Sequence, residues 1–431
     1  MTDDIQSKES ALEKAAYSKI TWHLIPFLFI CYIVAYLDRV NIGFAKLQML
    51  SDLKFSETAY GFGAGIFFIG YILFEVPSNI ILYKVGARIW IARIMLCWGV
   101  VSGLTMFVTT EWAFYSMRFL LGIAEAGFFP GIILYLTYWY PSERRGKITT
   151  MFMVAVPVSG VIGGPLSGWI LQNMAGVMGY AGWQWLFLIE AIPSILIGLL
   201  VLVYLKDGIS EVGWLSDKEK QTLQKRIHTD NEQKEDYTLG QVLSSPLLWR
   251  LAFIYFCYVM GLYGVGFWLP TIIKAMGVSG VFNIGLLSAI PSAGAIVGML
   301  YVSGSSDRHR ERRWHIAIPA ILGAIGLILS TIFSGDTWLA MTVLSLATFG
   351  IMTTFPLFWS LPTAYLRGTA AAAGIALINS FGNLSGFLSP YLIGIIKDAT
   401  NSTNMGMYML TVFLIVGALL TLSFPSEQVN R

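Results

Sequence analysis

Twelve apolar stretches of bilayer-crossing length follow one another along this chain, joined by short connections. They cover residues 22–44, 59–82, 88–109, 112–138, 148–171, 184–205, 248–272, 283–304, 314–334, 338–361, 370–396 and 405–424. About 20 apolar residues in a helix cross the hydrocarbon core of a membrane. Hydrocarbon offers the backbone no water, and a helix satisfies its amides and carbonyls internally. The expected fold is therefore an all-α membrane protein with twelve transmembrane helices. Composition agrees: 56% of the residues are hydrophobic, 12% are charged and mean hydropathy is +0.66. Soluble domains run near 45–50% and 25%. By length alone 431 residues would suggest about three soluble domains, but the short connections favour one integral membrane unit.

The longest polar segment, Lys206 to Ser245, falls between spans six and seven. It divides the chain into two six-helix bundles, 1–205 and 247–431, joined by a cytoplasmic linker over 206–246 that is expected to carry an amphipathic helix. Basic residues follow the even-numbered spans: Lys84 and Arg88, then Arg144, Arg145 and Lys147, the linker, and Arg308, Arg310, Arg312 and Arg313. Loops after odd-numbered spans hold few, so the basic side is expected to be cytoplasmic, with both termini on it. The loops NIILYKVGARIW after span two and SGSSDRHRERRW after span eight form a weak internal repeat. Equivalent loops in two halves are the mark of a duplicated transporter scaffold.

Charges at bilayer depth cost kilocalories and normally face a cavity, a partner or a substrate path. Asp38 and Arg39 close the first apolar run, Arg118 and Glu125 lie in span four, and Glu75 and Glu190 lie in spans two and six. Arg118 and Glu125 are seven residues apart, nearly two helical turns or about 10.5 Å of rise, and share a face with Tyr115, Gly122 and Phe129. On span one, Tyr32, Tyr36 and Arg39 share a face, and Asp38 points about 100° away. Asp38 thus needs a partner on another helix, and Arg118 is the expected one. Glu75 is expected to brace the basic end through Arg88 or Arg145, and Glu190 to act similarly within its own bundle.

The second half has no acid in its spans, so neutral groups should carry its contribution. Asn379, Asn383 and Gly386, spaced i, i+4, i+7, form one polar face on span eleven. Ser360 closes span ten, and Tyr255 and Tyr258 lie in span seven. Such groups suit hydroxyls and carboxylate oxygens. GVIGGPLSG, Gly160–Gly168, reads as a close-packing face. Trp112, Trp139, Trp183 and Trp268 near span ends read as interfacial anchors.

Several classes are disfavoured. A net charge of +3 is too small to suggest nucleic acid. Cys31, Cys97 and Cys257 form no ligand spacing, and His23, His228, His309 and His315 fall at segment ends or in loops, so no metal site is expected. The polar N-terminal residues do not have the order of a signal peptide. No phosphate-binding loop, zinc-protease motif or nucleophile elbow is present, so no enzyme and no cofactor are expected.

Five stretches together resemble the major facilitator superfamily, and over nearly the whole chain its anion:cation symporter branch. They are YLDRVNIGFA (Tyr36–Ala45), FEVPSNIILYKVGAR (Phe74–Arg88), RFLLGIAEAGFFPG (Arg118–Gly131), YWYPSERRGK (Tyr138–Lys147) and GWQWLFLIEAIPS (Gly182–Ser194). That branch carries tartrate, phthalate, hydroxyphenylacetate and sugar acids; the wording here is closest to the tartrate and hydroxyphenylacetate type. One departure concerns the loop after span two, where the superfamily has an aspartate and this chain has Tyr83, with Asn79 at the first glycine position. The loop after span eight keeps its acid, Asp307.

The resemblance implies proton-coupled symport of a small organic anion by alternating access, in a monomer of the inner membrane with the proton as the only coupling ion. Arg39 would hold the substrate carboxylate, with Tyr32, Tyr36, Ser360, Asn379 and Asn383 around it. Asp38, Arg118 and Glu125 would couple protons, and Glu75, Arg88, Asp307 and Arg308 would gate. An anion exchanger or uniporter on the same scaffold is the nearer alternative.

Overall fold

In a computed structural model, residues 2–232, 244–365 and 368–430 of the chain are described, and their regular structure is helical. Helix α1, Thr2–Leu53, has 52 residues. At about 1.5 Å per residue it is far longer than the ~30 Å hydrocarbon core, so its first turns stand outside the membrane. There follow α2 (Glu57–Val85), α3 (Ala87–Leu104), α4 (Glu111–Glu125), α5 (Phe128–Thr137), α6 (Ser142–Met153), α7 (Ala155–Asn173) and α8 (Gly182–Tyr204). The second half holds α10 (Pro246–Ala275), α11 (Val281–His309), α12 (Arg313–Ile332), α13 (Thr337–Phe358), α14 (Ser360–Tyr365), α15 (Gly368–Thr400) and α16 (Asn404–Leu422), and then the short α17 (Ser426–Val429). Among the described residues eleven stretches are long and apolar enough to cross a membrane. The remaining expected span, 370–396, lies within α15. Three spans are broken among the described residues: α4 passes to α5 within span four, α6 to α7 near the start of span five, and α13 to α14 at the end of span ten.

The linker carries helix α9, Asp217–Glu232. Its start is a reciprocal cap: the Ser216 amide donates to Glu219 Oε2 at 2.8 Å, and the Glu219 amide to Ser216 Oγ at 3.4 Å. Glu219 Oε1 also accepts from Lys19 Nζ of α1 at 2.7 Å, which ties the linker to the first half.

The halves are in close contact at the end where basic residues are few. There α7 and α11 cross through glycines: a Cβ on Gly164 would lie 2.5 Å from the Gly285 carbonyl, and one on Gly168 2.9 Å from that of Val281. The GVIGGPLSG segment is thus a packing face, used between halves. At the same end, Asp398 of α15 accepts from the backbone amides of Glu57 at 3.1 Å and Thr58 at 2.8 Å. These are orphan amides at the start of α2, so one half caps a helix of the other. Glu57 is bonded by Lys46 at 2.6 Å and Lys397 at 2.7 Å, and the Lys46 ammonium sits 3.4 Å above the Trp268 ring. Trp268 is therefore part of the seam and no membrane anchor. Trp139 and Trp183 are buried too, and of the four only Trp112 is exposed. Position near a span end does not say which face of the helix a side chain takes.

Two outcomes are expected. Gly164→Leu should push α7 from α11, so spin labels at Met178 and Ser279 should move apart by several ångströms; an unchanged distance would show slack in the seam. The Lys19 hydrogen bond, then the Ser216 amide, hold the Glu219 carboxyl below its usual range. A lowered folded value gives a contribution that is present above the unfolded range, near 4.3, and lost as pH falls. Amide exchange across α9, corrected for intrinsic rate, should rise at about pH 4 relative to about pH 7.

Candidate functional site

The break between α4 and α5 positions the first functional group. Gly127 has φ of +84°, and a side chain there would run into Ser78, so only glycine turns the chain at this point. Pro130, in the first turn of α5, has no amide that needs a partner. Glu125 is consequently the last residue of α4. A carboxylate at a helix C-terminus is opposed by the helix dipole and needs a cation. Arg39 of α1 supplies it: Nη2 donates to Glu125 Oε1, and Nη1 to the Tyr263 hydroxyl of α10 at 3.2 Å. The guanidinium also lies 4.9 Å from the Tyr36 ring centre, 5.3 Å from Phe67 and 5.6 Å from Tyr71. Arg39 is 5% exposed and Glu125 1%.

Arg39 faces a narrow cavity between the halves. The first half lines it with Tyr32, Tyr36, Arg39, Phe68, Tyr71 and Phe129, and the second with Tyr255, Tyr263, Phe355, Asn379 and Asn383. Five of the expected substrate residues are therefore brought together: Arg39, Tyr32, Tyr36, Asn379 and Asn383. Ser360 is not among the lining residues; its hydroxyl donates to the Leu357 carbonyl at 2.7 Å, as hydroxyls at helix ends commonly do. Phe67, Tyr71 and Tyr263 were not singled out by sequence. Phe67 and Tyr71 are spaced i, i+4 on α2, which marks a common face but not that the face looks at an arginine.

The expected pairing of Asp38 with Arg118 is corrected. Asp38 accepts from three neutral donors, Trp98 Nε1 at 3.1 Å, Ser102 Oγ at 2.8 Å and Ser194 Oγ. These sit on α3 and α8, the side to which a 100° offset from Arg39 turns it. Arg118 faces α2, where Nε and Nη2 reach the Gly63 and Ala64 carbonyls at 3.4 and 3.5 Å. Its guanidinium is 5.2 Å from the Phe67 ring, so Phe67 contacts both arginines. Arg39 Nε and Arg118 Nη1 are buried without a hydrogen-bond partner among the described residues. Buried donors left unspent are costly, and an anion would use them.

The gating expectations are also revised. Glu75 does not reach Arg88; it accepts from Asn379 Nδ2 at 2.7 Å and Ser380 Oγ at 3.1 Å, both on α15 of the other half. The side chain of Arg145 lies outside the described residues. Arg88 instead meets Asp207, which accepts from its backbone amide at 2.8 Å, with Nε 3.9 Å from the carboxylate. Asp307 pairs with Arg312 at 2.6 Å, and Arg308 is exposed. Glu190 accepts from Ser167 Oγ at 2.7 Å, within the first half. No group of three or more potential metal ligands occurs among the described residues.

Over residues 28–390 the chain matches the model of the Major Facilitator Superfamily. The chain belongs to that superfamily. Like its relatives, this facilitator is a multi-pass membrane transporter, of a type that needs no cofactor. It is 50% identical over 420 residues to a putative metabolite transport protein, NicT, of Pseudomonas putida, covering 97% of this chain and 96% of that one. It is 48% identical over 415 residues to a putative tartrate transporter of Agrobacterium vitis, covering 96% and 95%. In fold it is similar to a D-xylose–proton symporter, with a TM-score of 0.75 at 16% identity over 95% of this chain and 99% of the other.

The facilitator's buried pair has a measurable signature. Removing one partner of a buried ion pair costs about 3–5 kcal/mol, whereas replacing both with apolar groups is often neutral. Glu125→Leu and Arg39→Met should each lower the thermal midpoint of the empty protein, and the double variant should recover most of the loss. Additive losses in the cycle would show that the two charges are not energetically paired.

Proposed function

We propose that this protein is a proton-coupled symporter of a small organic carboxylate, working by alternating access in a bacterial inner membrane, as a monomer with both termini cytoplasmic. One observation carries the reading: the cavity's only lining cation among the described residues, Arg39, is held by a carboxylate of the protein itself. A substrate carboxylate and Glu125 compete for the same guanidinium. A proton on Glu125 removes the internal competitor, so proton and anion bind together. Arginine suits the task because its planar fork holds a carboxylate in two places. The neutral donors around Asp38 allow it to exist with or without a proton, and it serves as the second proton site. Arg118, with a donor to spare beside Phe67, balances charge as Glu125 changes state.

Loading then replaces a fixed ion pair with an arginine–substrate pair of equal net charge. That limits the cost of closing hydrocarbon over the cavity. The driving force is ample: one pH unit supplies about 1.4 kcal/mol per proton, and 100 mV about 2.3 kcal/mol per charge moved. Glu75, Arg88, Asp307 and Arg308 act as gating groups, Glu75 through α15 and the others at the basic end. The relatives named for tartrate and metabolite transport support a hydroxy acid as cargo.

In proteoliposomes an inward proton gradient should drive uptake of labelled tartrate above equilibrium. Arg39→Ala should abolish binding as well as uptake. Glu125→Gln should keep counterflow but lose gradient-driven accumulation. Wild-type counterflow with no response to the gradient would support an exchanger or uniporter instead.

A further inference from the structure

Glu75 is 2% exposed, lies outside the cavity lining and takes no part in the charge exchange above. Both of its oxygens accept from α15: Oε1 from Asn379 Nδ2 at 2.7 Å, Oε2 from Ser380 Oγ at 3.1 Å. A carboxylate has only acceptors to offer, whereas an asparagine amide has a donor end and an acceptor end. While Glu75 is ionised, the contact therefore decides which way the Asn379 amide is turned. Its nitrogen faces Glu75. Its Oδ1 accepts no hydrogen bond among the described residues, and Asn379 lines the cavity.

The cavity then carries two groups of fixed and opposite sense. Arg39 can only donate, and Asn379 presents an acceptor. Phenol hydroxyls such as those of Tyr36 and Tyr255 can do either, so they do not discriminate. We infer that Glu75 is a specificity-determining positioning residue, which fixes Asn379 as a hydroxyl acceptor and so selects anions that carry a hydroxyl as well as a carboxylate. This deepens, and rests on, the reading of the cavity as a carboxylate site. An anion without the hydroxyl leaves Oδ1 unpaired on closure, and unpaired polar groups are how a buried site rejects an analogue.

The test compares tartrate with succinate, the same four-carbon dicarboxylate without hydroxyls, by calorimetric titration of the purified full chain. Wild type should prefer tartrate. Glu75→Gln keeps size and shape but can donate to Asn379 as well as accept, so the amide is free to turn. The tartrate-to-succinate ratio of affinities should fall by about tenfold, the value of one hydrogen bond. Asn379→Ala should lower the ratio similarly, and the double variant should lower it no further; this arm decides if Glu75→Gln does not bind either anion. A brace without a role in selection would weaken both anions alike and leave the ratio intact. An unchanged ratio in Glu75→Gln, or a wild type that binds both equally, overturns this inference and spares the carboxylate site. A wild type that binds neither anion overturns both.

Discussion

A guanidinium buried between two helical bundles is the constraint around which the rest is arranged. Arg39 is almost fully withdrawn from solvent, so the protein surrounds it with substitutes: a carboxylate, a phenol hydroxyl and the faces of three aromatic rings. Each substitute requires something of the backbone. Glu125 reaches it because α4 stops two residues before a left-handed glycine. Tyr263 reaches it from the opposite half, so the charge is also a contact between the halves. What stabilises the empty cavity is thus a set of interactions that a carboxylate ligand could take over in part.

The two halves divide the chemistry. Asp38, Arg39, Arg118 and Glu125, which hold or balance charge, all sit on helices of the first half. The second half brings hydroxyls and amides to the cavity. Movement of one half against the other therefore need not carry an ion across the interface. The exception is the basic-poor end, where Glu57 is bonded by one lysine from each half and Asp398 caps α2 across the seam. Opening there must part the Lys397–Glu57 ion pair and uncap a helix. The cost is bounded because the separated groups at that end have water within reach.

Much of this was legible in the sequence, and the misses share a cause. Twelve apolar runs announced the spans, and ionised residues inside them announced where to look. The face shared by Tyr32, Tyr36 and Arg39 proved to be the cavity wall. Periodicity gives the angle of a side chain around its own helix but not the rotation of the neighbour. Asp38 was correctly turned away from Arg39, yet its partners Trp98, Ser102 and Ser194 are neutral and unremarkable in sequence. Arg118 and Glu125 keep their common stripe on α4, whereas Phe129, the next residue of that stripe, leaves it because the helix stops at Glu125. The glycine in AEAGFFPG was visible, but its positive φ was not. Glu75 was sought against basic loops on its own half, because charge attracts attention in a sequence and asparagine does not.

Helices α2 and α15 show how one geometry serves closure and recognition together. They run antiparallel, with Glu57 beside Asp398, Gly61 on Pro390, Gly65 on Phe387, Phe68 on Gly386 and Glu75 on Asn379. The contacts follow one register for five helical turns, about 27 Å at 1.5 Å per residue. The seam starts in ionic contacts, passes through glycine packing and reaches hydrogen bonds where the cavity begins. Glycine brings the backbones close enough for the short side chain of Asn379 to span from Glu75 to the cavity. A shift of register by even one turn would break the Asp398 cap and the Glu75 contact together, because both hang on the same pair of rigid rods. The state of the distant end and the orientation of the amide that lines the cavity are in this way one mechanical variable.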